Sequence, residues 1–144
     1  MKPLRVQGIP IHPVLVHFPI AGWTAASLLA LATTATANEA FATAALYCNA
    51  VALVTGLGAI AAGFLEFLAL PEEQAVRDAA ARHMLLAGSA WFLYLVMLLL
   101  QVKSLFVSAS VAGGIAFIVL LLAGHAGARL VYHHHLPAPF HHPS

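Results

Sequence analysis

Two histidines and two prolines are set into an otherwise apolar run near the start of the chain, Ile11 to Ile20, which reads I-H-P-V-L-V-H-F-P-I. An ionisable side chain in such a run is expensive in hydrocarbon and marks a functional position by default, so His17 is the first candidate. An imidazole there can ligate a metal, relay a proton or hydrogen-bond a carbonyl. His83 and His125 stand in two further apolar runs, among nine histidines in all, and the chemistry depends on whether the chain brings them together.

The elements that must do so are membrane helices. Only 8% of the 144 residues are charged and 62% are hydrophobic, whereas a soluble domain carries about 25% charge. The mean hydropathy of +0.92 points the same way. Crossing about 30 Å of hydrocarbon takes about 20 apolar residues. Four segments of that kind, at about 13–36, 41–70, 80–101 and 105–132, use nearly the whole length. The expected fold is therefore all-α, a single four-transmembrane-helix antiparallel bundle, with the proline-broken tail 133–144 irregular. The run from Val14 to Ala37 has a basic approach and an A-T-A ending like a signal peptide, but His17, Pro19 and its length favour a span.

Other classes fall away on composition. A net charge of +1 without a basic run excludes nucleic acid as a partner. Cys48, the lone cysteine, allows no disulfide framework and reads as a small buried hydrophobe.

Local signals refine the helices. Pro13 suits a first helical position, whereas Pro19 removes the bond to the Leu15 carbonyl and should kink the helix beside His17. Thr55, Ala59 and Gly63, with Gly56 and Gly58 between them, suit close helix packing, and Asn49 should hydrogen-bond across to a neighbour. Pro71 to Asp78 is the one hydrophilic loop of any length, and Gln101 to Ser104 is a turn short enough to set the fourth span antiparallel beside the third. The two hairpins have similar lengths, but no internal repeat emerges from that. Lys2, Arg5, Arg77, Arg82 and Arg129 fall on one side against Lys103 on the other, which places both termini in the cytoplasm.

Counting residues from each hairpin turn at about 1.5 Å apiece puts His17, His83 and His125 roughly 20 to 22 residues away, on one level. His12 and Glu66 lie further out, in an expected rim with Arg5, Arg82 and Arg129, the last on the His125 face. Two chemistries fit. In one, imidazoles from different helices ligate a haem b iron, with arginines on its propionates. The expected axial pair is His17 and His83 across the bundle, with His125 as a substitute ligand or a propionate partner beside Arg129. Gly124, Gly127 and Ala128 would make room for the macrocycle. In the other, His17, His83, His125, His12 and Glu66 hold a single transition-metal ion such as zinc, copper or iron. The bland alternative is a set of helix-end histidines bonded to backbone carbonyls. No quinone site is legible.

These residues carry a resemblance to the bacterial membrane family known as domain of unknown function 2231. Its members open with H-P-x-x-V-H-F-P, here His12 to Pro19. Their G-x-x-D-W-like signature is similar to G-F-L-E-F at Gly63 to Phe67, and their R-H-A-L-L-N-like run to R-H-M-L-L-A at Arg82 to Ala87. Their closing G-H-L-G-G-x-L-V-Y-x-H-G is similar to Gly124 to His135, aligning His125 and His134 and adding His134 to the candidate metal ligands. Ala87, Ala126, Ala128 and His135 depart from that pattern. The remaining tail histidines, His133, His135, His141 and His142, read as composition drift or a metal-sequestering tail.

The resemblance implies four membrane helices in a bacterial inner membrane, and fusion of some relatives to Rieske-type or cytochrome c-type modules implies electron transfer. The expected function is a small b-type cytochrome-like component, more a subunit than a stand-alone enzyme. A non-haem metal protein and a non-redox accessory subunit stay open beside it. Expected partners are the lipid bilayer and a redox partner or larger complex, with a homo-oligomer also open.

Overall fold

The computed structural model describes residues 5–6 and 9–132. Two short strands, β1 (Arg5–Val6) and β2 (Ile9–Pro10), pair antiparallel ahead of the helices. The helices are α1 (Ile11–Leu15), α2 (His17–Thr36), α3 (Glu39–Leu68), α4 (Gln74–Val102) and α5 (Phe106–Tyr132). Among the described residues, α1 with α2, and each of α3, α4 and α5, is long and apolar enough to cross a membrane. The chain is an all-α four-helix membrane bundle, and it lies in a lipid bilayer.

Local chemistry explains the ends. Thr36 gives way to Ala37, which turns left-handed at φ 53°, and Asn38 then caps α3 by accepting from the Ala40 N–H at 2.9 Å. The second hairpin turns likewise through Ser104 at φ 56°. Between α1 and α2 the helix is interrupted at Val16, three residues before Pro19, where the proline removes a donor.

The third helix starts at Gln74, well before the expected position near 80, so much of the hydrophilic stretch is helical. Gln74 donates to Asp78 one turn on at 2.8 Å, while Val76, Ala79 and Ala80 are buried. Hydropathy marks where hydrocarbon ends, and a helix can run past that point.

The structure also corrects the expectation on repeats. A constant shift of 71 positions carries the buried residues Pro19, Trp23, Ala26 and Ala30 of α2 onto Ala90, Tyr94, Met97 and Gln101, all buried in α4. A shift of 64 carries Ala45, Asn49, Ala52, Gly56 and Ala59 of α3 onto Ala109, Gly113, Ala116, Leu120 and Ala123 of α5. Around the ring, α2 packs on α3 and α5, and α4 packs on α5 and α3. The two hairpins are thus parallel copies about an approximate two-fold axis along the bundle.

Residues related by such an axis can touch only if they lie on it. Trp23 and Tyr94 do so, stacked with ring centroids 4.9 Å apart and planes within 5°. Tyr94 and Ser27 share a hydrogen bond of 3.0 Å. Asn49 donates across to the Tyr94 carbonyl at 3.1 Å and to Gln101 Oε1 at 3.0 Å, the cross-helix role expected of it.

Candidate functional site

Near the terminal end of the bundle a second pair of equivalent residues meets on the axis. His12, from α1, directs Nδ1 at the carbonyl of Ala59 on α3, 2.8 Å away. His83, from α4, directs Nδ1 at the carbonyl of Ala123 on α5, 2.9 Å away. A carbonyl only accepts, so each Nδ1 carries the proton and each Nε2 keeps a free lone pair. The two ring centroids are 6.2 Å apart with planes at 77°.

Each ring reaches its carbonyl because glycine follows four residues later. A Cβ at Gly63 would come within 2.9 Å of His12 Cε1, and one at Gly127 within 3.0 Å of His83 Cε1. The two halves repeat one local device: an imidazole laid over a glycine and tied to the carbonyl one turn before it. Glu66 sits beside the first copy, its Oε1 3.4 Å from the His12 backbone N–H at the start of α1.

The other candidates lie elsewhere. His17 is exposed and bonds back to the Val14 carbonyl of α1 at 3.3 Å, so it does not lean across to His83. The carbonyl it finds is one residue before the Leu15 oxygen that Pro19 was expected to bare. His125 is exposed on α5, off the face on which Ala123 and Gly127 receive His83. It lines an open apolar groove of about 410 Å³ with Ile20 and Thr24 of α2 and Phe117, Leu121 and Gly124 of α5. Arg82 and Arg129 are exposed at the same end. His134 and the other tail histidines lie outside the described residues.

The count along the helices gives neither level nor facing correctly: His12, expected further out than His83, meets it ring to ring. The structure joins His83 to His12, which had been assigned to the outer rim, and leaves His17 and His125 on the flank. Among the described residues, no three of His, Cys, Asp or Glu converge as a set able to hold a metal ion. The carbonyls of Ala59 and Ala123 are contacts that residue types alone did not reveal, and Gly63 and Gly127, expected to serve helix packing and macrocycle room, instead lie under the imidazoles.

A family model described as a predicted membrane protein, DUF2231, matches residues 8–138. No curated protein and no solved structure matches the chain.

Proposed function

The chain belongs to the DUF2231 family of predicted membrane proteins, and on that footing we propose that it is a small electron-transfer component in which His12 and His83 hold a haem b iron. The observation that carries this reading is the separation of the two carbonyl-tied rings, 6.2 Å between centroids. Two metal–nitrogen bonds of about 2 Å, with the ring radii added, span about 6 Å. No hydrogen bond joins the rings, and each Nε2 lone pair is free for a metal.

Two imidazoles leave a bare zinc ion short of its four donors, whereas a haem brings four nitrogens of its own. That favours haem over a single transition-metal ion. Bound, the group would supply one-electron exchange. The protein's part is to fix both tautomers and ring orientations through Ala59 and Ala123, and the Nδ1–H bonds make each Nε2 a stronger donor. The side chains at these contacts are only alanine and glycine, which lets each imidazole lie close against α3 or α5. Arg82 and Arg129 are the cations available to the haem propionates.

The test is the spectrum of detergent-purified protein, oxidised and dithionite-reduced, with metal analysis. A sharp reduced band and stoichiometric haem iron are expected. Stoichiometric zinc or copper without haem would move the site to the bare-ion reading. A colourless, metal-free protein that stays so after haem reconstitution would leave the two histidines as a structural clasp in an accessory subunit.

The same reading has the protein in a bacterial inner membrane with both termini cytoplasmic, which the five basic residues against one support. A fluorescent reporter fused after Ser144 should be active, and an alkaline phosphatase fused there inactive. The reverse result would put the histidine pair in the outer leaflet.

A further inference from the structure

At the end of the bundle closed by the Ala37 and Ser104 turns, far from the paired imidazoles, the helices bury polar groups of their own. Among the described residues, three buried side-chain atoms have no hydrogen-bond partner in the protein: Trp23 Nε1, Asn49 Oδ1 and Gln101 Nε2. Gln101 lines a cavity. Its amide is oriented by Asn49, whose Nδ2 donates both to the Tyr94 carbonyl at 3.1 Å and to Gln101 Oε1 at 3.0 Å. Because the Tyr94 carbonyl only accepts, Asn49 presents its nitrogen there, and Gln101 can answer that nitrogen only with its oxygen. Gln101 Nε2 is thus left as a donor without an acceptor on a side chain only 7% exposed, a costly state for a buried N–H.

The cavity lies on the two-fold axis. The shifts of 71 and 64 pair its lining residues as Ala30 with Gln101, Ala42 with Phe106 and Ala45 with Ala109, drawn from all four spans. In two of these pairs the first copy is alanine where the second is large, and the difference leaves the room. The volume is about 10 Å³. A buried water needs about 10–15 Å³ and at least two polar partners. The remaining lining residue, Thr33, is the second partner: it is buried, and its Oγ1 donates to the Leu29 carbonyl at 2.9 Å while keeping lone pairs to accept. No charged side chain lines the cavity, so an ion finds no counter-charge there, and nothing larger than a water fits.

We propose that this cavity is a binding site for one water molecule, which accepts from Gln101 Nε2 and donates to Thr33 Oγ1. Cavities that stay dry are lined by hydrocarbon alone, whereas this one has a buried donor and a buried acceptor on its wall. The water completes a chain of hydrogen bonds that runs from the Leu29 carbonyl of α2 through Thr33, Gln101 and Asn49 to the Tyr94 carbonyl of α4. That chain crosses between the hairpins twice, from α2 to α4 through the water and from α3 to α4 through Asn49. The hairpins are pinned together at the end opposite the imidazoles. The site stands whatever the histidine pair holds.

The experiment uses the full chain in detergent micelles with its glutamines, Gln7, Gln74 and Gln101, labelled with nitrogen-15. The side-chain signal of Gln101 is identified by its loss in Gln101→Met. Its amide protons should show a rotating-frame cross-peak to water, opposite in sign to proton exchange, as a long-lived bound water gives. Ala30→Ser sets a hydroxyl acceptor in the room that Ala30 leaves, and should remove the cross-peak without lowering the melting temperature. Ala30→Val fills the same room without an acceptor, and should remove the cross-peak while lowering the melting temperature. Thr33→Val, close in shape but lacking the second partner, should weaken the cross-peak several-fold. A parent protein without the cross-peak would overturn the proposal, as would a cross-peak undiminished in Ala30→Ser, the variant that decides the matter if Ala30→Val does not fold.

Discussion

Replacing either His12 or His83 with alanine is expected to abolish the low-spin haem spectrum, while His17→Ala and His125→Ala keep it. The first two residues meet on the two-fold axis with Nε2 free and Nδ1 tied to carbonyls at 2.8 and 2.9 Å. The second two face the flank. A lost spectrum could follow from a loosened bundle, so glutamine is the sharper substitution. Its side-chain N–H can still donate to Ala59 or Ala123, but it offers no imidazole lone pair to iron. His83→Gln should lose the spectrum with little change in melting temperature, whereas His83→Ala also forfeits a hydrogen bond, about 1 kcal/mol. Retention of the native spectrum in both His12→Gln and His83→Gln would end the ligand assignment.

The second large effect is steric. Gly63→Ala and Gly127→Ala should each destabilise the protein by about 1–3 kcal/mol, the range for forcing an atom into a packed site. Each new methyl meets a rigid imidazole at 2.9 or 3.0 Å, and that ring is already tied to a carbonyl. Relief requires breaking the tie, so the spectrum should shift along with the melting temperature. Gly113→Ala provides the contrast. Its methyl would meet Met97 Sδ at 2.9 Å, the far end of a flexible side chain, and the change should be nearly silent. Gly114→Ala meets nothing within 4 Å and serves as the control. Equal tolerance at Gly63, Gly127 and Gly114 would show that the rings are not held as described.

The class of fold was legible because hydropathy and length constrain membrane spans so tightly. Facing was harder, since helices that are apolar on every side carry little amphipathic signal. The signal that does exist is spacing. The small or buried positions 45, 49, 52, 56, 59 and 63 of α3 recur as 109, 113, 116, 120, 123 and 127 of α5, with the same alternation of four and three. Extending the alternation back through α2, from Trp23 to Pro19, Val16 and His12, puts His12 on the inward seam and leaves His17 off it. In α4 the same rhythm runs from Gln101 through Tyr94 and Ala90 to His83, and in α5 it passes over His125. The repeat escaped a reading by residue identity because it conserves burial more than chemistry: tryptophan answers tyrosine, proline answers alanine, and alanine answers glutamine.

The parallel sense of the repeat makes the molecule one-sided. An inverted repeat would set one imidazole at each face and give an electron stepping stones through the insulating layer. Here both copies of the device, and all four described histidines, fall at one end, and the opposite ends of the helices are joined by the Ala37 and Ser104 turns. From the paired rings to that far surface is most of the roughly 30 Å of hydrocarbon, with no imidazole beyond His17 among the described residues on the way. Under the proposed electron-transfer function, a carrier built like this would move charge laterally within a single leaflet. It would then contribute to the voltage across the membrane only through the side on which its donor and acceptor take up or release protons.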